Sequence, residues 1–272
     1  MTVHHKHKGE AANTGLPRQI AEGVLWVGGC LNLSFKGETV HSHFNAYVIK
    51  GRDRTLMVDS GHPYHRPQIE AALDAFLDGR QLDYIFPTHP ELPHCGLMPT
   101  WMAKYPGLKA VGDCSDYPLY YPDLAHRFVN LGRGDAIDLG DRRFVLLPCV
   151  WGDLANTLWG YESGSQTLFV SDAYALIHGH KPGECGLMTG EQPTPDKEHL
   201  QMLSRLTLQW MQYHDVSATY AELDTFLAAI QPKLIAPAHG AVVDRPERMT
   251  ELMKAALAEA MTSAMPRLQP AG

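Results

Sequence analysis

The chain has 272 residues, with 23 Lys and Arg against 30 Asp and Glu for a net charge of −7, and 44% of its residues are hydrophobic. That apolar share supports a sizeable core and argues against bulk disorder, and the mild acidic excess argues against a nucleic-acid surface, which needs a basic stripe. Its 15 histidines prompt a search for metal ligands, a role that imidazole fills more often than any other side chain.

Five scattered cysteines (Cys30, Cys95, Cys114, Cys149 and Cys185) form no C-x-x-C pair, so a disulfide framework is not expected and a reducing cytoplasm fits. The N-terminus carries Lys and His but no apolar stretch, so no secretory signal is expected there. No apolar run reaches the ~18 residues of a membrane span. Residues 1–19, with His4, His5 and His7, are expected as a disordered or extended His-rich N-terminus, and residues 20–272 as a single domain.

In chain order, strands are expected at Val24–Val27, Phe44–Ile49 and Thr55–Val58, then a helix over Gln68–Leu77 with one apolar face. Short strands follow at Tyr84–Phe86 and Leu108–Val111, with a broken helix carrying Trp101 and Met102 between them. Further strands fall at Ala136–Leu139, Phe144–Leu147, Thr157–Trp159 and Thr167–Val170. A Gly- and Pro-rich loop spans Ala173–Pro195. Helices over Asp196–Tyr213 and Tyr220–Ile230, a strand at Lys233–Ala236 and a helix over Pro246–Ala264 complete the chain. This order predicts mixed sheets covered by helices.

Chemistry concentrates at three strand ends. Thr88-His-Pro-Glu-Leu-Pro-His-Cys-Gly96 follows a buried strand, and in such sheets side chains at strand ends build sites. Its two imidazoles and one carboxylate converge on metal only if the loop curls, a conformation that Pro90, Pro93 and Gly96 favour. A polar loop that merely carries histidines is the other reading. Asp172 ends another apolar strand and His239 a third. Each alone reads as a cap or a structural residue, but the three together point to a metal site.

The set resembles the metallo-β-lactamase superfamily, and within it the diiron domain of flavodiiron proteins, whose motif is H-x-E-x-D-H-x-G. His89, Glu91, His94 and Gly96 match that motif, Asp172 matches the aspartate that bridges both metals, and His239 matches the last histidine. Asn45-Ala-Tyr-Val-Ile and Val58-Asp-Ser-Gly61 are fainter echoes, so the likeness runs from Ile20 to Arg248. It implies an α+β fold, a four-layer αββα sandwich of two mixed sheets flanked by helices, with metal at one sheet edge. The implied ligands are His89, Glu91, His94, Asp172 and His239. Two family ligands are absent: Pro93 replaces an aspartate and Val150 a histidine. Neither side chain has a donor atom. Cys149, His62, His65, His178 and His180 are reserves for the gaps.

Glu91 hardens the donor set towards iron or manganese rather than zinc. The resemblance implies two iron ions and the binding, sensing or reduction of O2 or NO. No phosphate-cradling loop follows a late strand, so no FMN is expected on this chain and electrons are expected from an external donor or signalling partner. A homodimer is suggested by the family only. A metal-dependent hydrolase acting on a small-molecule substrate and a degenerate, non-catalytic scaffold stay open as alternatives.

Overall fold

The computed structural model describes residues 15–179, 181 and 183–264. His4, His5 and His7, with the rest of segment 1–14, and His180 lie outside the described residues. The first half builds β1 (Arg18–Ala21), β2 (Val24–Phe35), β3 (Glu38–Lys50), β4 (Thr55–Val58), α1 (Arg66–Leu77), β5 (Tyr84–Phe86), α2 (Leu92–Cys95), α3 (Met98–Lys104), β6 (Lys109–Gly112), α4 (Tyr117–Tyr120) and β7 (Phe128–Asn130). These strands lie side by side in numerical order in one sheet. β4 to β7 run parallel, so their connections cross a sheet face, and α1 and α3 do so on the same side.

The second half builds β8 (Ala136–Asp138), β9 (Arg143–Pro148), β10 (Leu158–Glu162), β11 (Thr167–Phe169), β12 (Ile177–His178), α5 (Lys197–Thr207), α6 (Ser217–Ile230), β13 (Leu234–Ala236) and α7 (Pro246–Ala264). The second sheet has the order β13-β11-β10-β9-β8, while β12 returns to the first sheet and pairs with β3.

Alternation along the strands sorts the core into three layers. Leu25, Val27, Met57 and Ile85 face Ile69, Leu73, Met98 and Trp101 of the helices. Their neighbours Val24, Trp26, Leu56, Val58 and Phe86 face inward and meet Phe144, Leu146 and Phe169 of the second sheet. Trp159, Leu168 and Val170 turn outward onto Leu200, Leu223, Met249 and Met253. Two sheets back to back between helices make the αββα sandwich expected from the sequence.

Several details differ from the sequence pattern. β2 and β3 extend far beyond their apolar runs because Lys36 and Gly37 both adopt left-handed conformations (φ 51° and 86°) and close a two-residue hairpin between Phe35 and Glu38. Polar Asn32, Ser34, Thr39 and His41 hide that extension from a hydrophobicity reading. The loop Ala173–Pro195 contains β12, which is too short to show periodicity. β1 and β7 were also absent from the sequence pattern, and the helix from Asp196 breaks after Thr207 into a 3-10 turn over Gln209–Tyr213.

One side chain ties the two sheets together beneath the site. Asn45 on β3 accepts from Trp26 Nε1 (2.7 Å) and donates to the carbonyls of Pro237 (2.8 Å) and Gly240 (2.7 Å), which bracket His239. Tyr47 also donates to Pro237 O (2.7 Å). Asn45→Ala takes the partner from Trp26 Nε1 and the Gly240 carbonyl, while Tyr47 still serves Pro237 O, so stability is expected to fall by about 2–4 kcal/mol. Urea unfolding measures it; an unchanged midpoint contradicts the bridge.

Candidate metal centre

Five chain segments end at one edge of the sandwich. Asp59 follows β4, Thr88 and His89 follow β5, Asp153 lies beyond β9, Ser171 and Asp172 follow β11, and His239 follows β13. The exit from β5 runs straight into α2, a single turn with Pro93 at its start, where proline costs nothing because the N–H there has no helical partner. This turn swings His94 back under His89, with ring centroids 3.9 Å apart. Pro93 thus trades a carboxylate for a fixed turn.

Hydrogen bonds fix each imidazole. His94 Nδ1 donates to Asp59 Oδ2 (3.0 Å), His89 Nδ1 faces Ser171 Oγ (2.8 Å), and His239 Nδ1 donates to the His43 carbonyl (2.7 Å). In each case Nε2 is left to face the centre. Asp59 and Ser171 are non-glycine residues in the left-handed region (φ 56° and 52°). Such conformations persist where surrounding contacts over-determine them. Asp59 Oδ1 is held by Thr88 N (2.8 Å), and Ser171 Oγ by Thr88 Oγ1 (2.9 Å).

Asp172 Oδ1 lies 3.1 Å from His94 Nε2 and 3.5 Å from His239 Nε2. His89 Nε2 lies 3.8 Å from Glu91 Oε2 and 3.7 Å from Asp153 Oδ2. Two groups of donors within metal-binding reach result, His89–His94–Asp172 and His89–Glu91–Asp153. Burial resists charge on His94, but Asp59 and Asp172 outweigh it and push its pKa well up. Burial likewise opposes charge on Asp172, yet His239 and His94 hold its carboxyl well below the usual range. Glu91 is lowered mainly by the neighbouring His89 imidazole.

The donor chemistry fits metal. His89 Nε2, His94 Nε2 and Asp172 Oδ1 are buried with no hydrogen-bond partner. With Nδ1 of His94 already donating, its Nε2 lone pair points at a carboxylate oxygen, an arrangement that needs a cation or a proton between them. Four carboxylates (Asp59, Glu91, Asp153 and Asp172) crowd this edge, a negative charge that two divalent ions would balance.

The structure gathers all five residues expected from the sequence, His89, Glu91, His94, Asp172 and His239. It adds Asp153, which occupies the neighbourhood of the missing histidine three residues beyond Val150. Asp153 lies in the loop after β9, which ends at Pro148, and no motif spacing marks it. Among the described residues, no reserve joins the two donor groups. Cys149 packs with the core beneath α6 and α7, and burial pushes its thiol up. His62 Nδ1 accepts from Tyr64 N (3.1 Å), His65 Nε2 faces the Cys30 carbonyl (3.3 Å), and His178 joins a separate cluster.

Above the donors opens a cleft of about 560 Å³. Its floor holds Glu91, Asp153, Asp172 and His239; its walls include Leu33, Phe44, Leu154, Leu203, Leu206 and Trp210. Among the described residues no Lys or Arg lines it.

The fold and the donor arrangement define a metallo-β-lactamase-type sandwich, and residues 44–185 match the model of the metallo-beta-lactamase superfamily. The chain belongs to that superfamily. Within it, the chain is 28% identical over 141 residues to diflavin flavoprotein A 1 of Synechocystis sp., covering 49% of this chain and 24% of that protein. It is 24% identical over 169 residues to a nitric oxide reductase of Moorella thermoacetica, covering 58% and 42%. The matches thus span less than half the length of these curated relatives. Among solved structures, rubredoxin oxygen:oxidoreductase from Desulfovibrio gigas has a TM-score of 0.66 at 16% identity, over 91% of this chain and 61% of that one. The flavodiiron protein of Giardia intestinalis has a TM-score of 0.66 at 16% identity, over 89% and 58%. Among the described residues no helix is long and apolar enough to cross a membrane.

Asp59→Asn places an amide N–H opposite His94 Nδ1, which turns the imidazole towards the tautomer whose Nε2 carries hydrogen. Metal affinity at this edge is expected to fall about 10–100-fold. Competition against a chelator measures it, and unchanged affinity would show that Asp59 does not orient His94.

Proposed function

We propose that this chain is a non-haem diiron protein of the flavodiiron kind that binds O2 or NO, as a sensor or as a reductase fed by an external electron donor. The observation that carries the reading is the shared position of Asp172. Its carboxylate lies within reach of His89, His94 and His239 at the floor of an apolar cleft. His89, Glu91 and Asp153 would hold one iron, His94 and His239 the other, with Asp172 between them. Such a pair supplies electrons and open coordination positions for a diatomic ligand.

This chain's own residues shape what reaches that pair. Asp59, Ser171 and the His43 carbonyl orient the imidazoles. Leu33, Phe44, Leu154, Leu203, Leu206 and Trp210 along the walls suit a small uncharged gas, which needs no hydrogen-bond partners on entry. The similarity to a nitric oxide reductase and to a rubredoxin oxygen:oxidoreductase supports the same substrates. Hydrolysis is less well supported. Anionic esters call for a cationic partner that the described cleft walls do not offer, and Glu91 with Asp153 makes the donor set harder than zinc prefers.

Metal analysis of protein grown without added metal is expected to find about two irons per chain, with a visible absorption change on exposure to O2 or NO. Zinc with esterase activity would overturn the reading in favour of a hydrolase. Metal-free protein whose unfolding ignores a chelator would overturn both. His89→Ala, His94→Ala and His239→Ala are each expected to strip most of the metal. Asp153→Ala should remove roughly half, the share of one site of a pair. Full retention of iron in all four variants contradicts the ligand assignment.

A further inference from the structure

Three of the histidines converge elsewhere, with two of the five cysteines. On β2 and β3, Cys30 lies directly opposite His43, and on β3 and β12, His41 lies directly opposite His178. Directly opposed residues share a sheet face, and His41 and His43, two apart on one strand, share it too. Three neighbouring strands therefore present a thiol and three imidazoles on one patch. The His43 and His178 rings stack with centroids 4.3 Å apart, His41 and His178 with centroids 5.8 Å apart, and Cys30 Sγ lies 3.6 Å from His178 Nε2.

Cys185 completes the group from the loop after β12. That loop is anchored: Arg18 on β1 donates to the Gly186 carbonyl (2.7 Å) and to Glu191 Oε1 (2.9 Å). His43 Nε2 donates to the Cys185 carbonyl (2.7 Å), which fixes its tautomer and leaves the lone pair on Nδ1. Two triads meet at Cys30, namely Cys30–His43–His178 and Cys30–His41–Cys185, each with donor atoms within 4.8 Å of one another. In a tetrahedral site with metal bonds of about 2.0–2.3 Å, the ligand atoms stand about 3.3–3.8 Å apart. Within each triad the donors are therefore near that spacing, and a four-ligand site draws the two triads together around their shared Cys30. His43, His178 and Cys185 are buried, and Cys30 and His41 are half-buried, so most of the group is withdrawn from solvent.

We propose that Cys30 and Cys185, with two of the imidazoles of His41, His43 and His178, form a second, thiolate–imidazole site for a soft d10 ion such as zinc. None of its donors belongs to the carboxylate-rich centre, and the softness of the two sets differs accordingly. Its position suggests its role. A metal there fastens β2, β3, β12 and the Cys185 loop at one point, and it does so at His43, whose carbonyl holds His239 in orientation at the other centre. Burial, with the neighbouring Cys185, pushes the Cys30 thiol well up, so metal binding at neutral pH releases a proton from it.

Cobalt(II) titration of the reduced, metal-stripped full chain tests this, because thiolate-to-cobalt charge transfer appears only when sulfur is a ligand. The proposal expects that absorption to saturate at ~1 equivalent per chain and to be reversed by added zinc. It should persist in His89→Ala and His94→Ala, and be lost in Cys30→Ser and Cys185→Ser. Two of the three variants His41→Ala, His43→Ala and His178→Ala should weaken cobalt binding while leaving both thiols in place, which guards against a serine variant that fails to fold. No charge-transfer absorption in the wild-type chain, or full absorption in Cys30→Ser, would overturn the second site while leaving the diiron reading untouched.

Discussion

The arrangement at the sheet edge turns on one buried carboxylate facing imidazole lone pairs. Asp172 is 4% exposed, with Oδ1 3.1 Å from His94 Nε2, whose other nitrogen already donates to Asp59. Without a cation or a shared proton, two electron-rich atoms oppose each other in a place that water cannot screen. In the metal-free chain a proton on His94 meets that need, as the raised pKa of His94 and the lowered pKa of Asp172 indicate. The strand ends, the left-handed turns at Asp59 and Ser171, and the Asn45 bridge under His239 hold the contact in place. The same constraints hold the donors together whether a proton on His94 or a metal ion supplies the positive charge, and the three-layer core gives the edge its rigidity.

Much of this was legible in the sequence. β4, β5 and α7 fall where their apolar runs or periodicity place them, because buried parallel strands and a capped amphipathic helix write their burial directly into residue type. The long β2–β3 hairpin was only half legible, since its outer half carries polar residues and its turn rests on a left-handed Lys36 that no composition rule flags. The five donors at strand ends were legible because a motif spaces them along the chain. Asp153 was not, because it reaches His89 from a loop after β9 and its role depends on the fold of the second sheet. The Cys30–His41–His43–His178–Cys185 group was invisible for the same reason. Its members are scattered through the chain, and only the pairing of β12 with β3 brings them together.

The two departures from the flavodiiron motif acquire a physical sense in the fold. Pro93 sits where a helix start accepts proline and sharpens the turn that carries His94. Val150 packs into the core against the second sheet, while the neighbouring loop delivers Asp153 to His89 in its place. On the proposed reading, exchanging imidazole for carboxylate at that position leaves the donor count of one ion whole and makes it harder, while the other ion keeps fewer protein ligands. The asymmetry offers open coordination on the His94–His239 side, beneath the apolar cleft.

The account depends most on where metal sits relative to Asp172. Anomalous diffraction at the iron edge from crystals of the iron-containing protein tests this directly. Two peaks flanking the Asp172 carboxylate, one beside His89, Glu91 and Asp153 and the other beside His94 and His239, are the expected result. A single peak away from Asp172, or iron bound only at the surface, would contradict it.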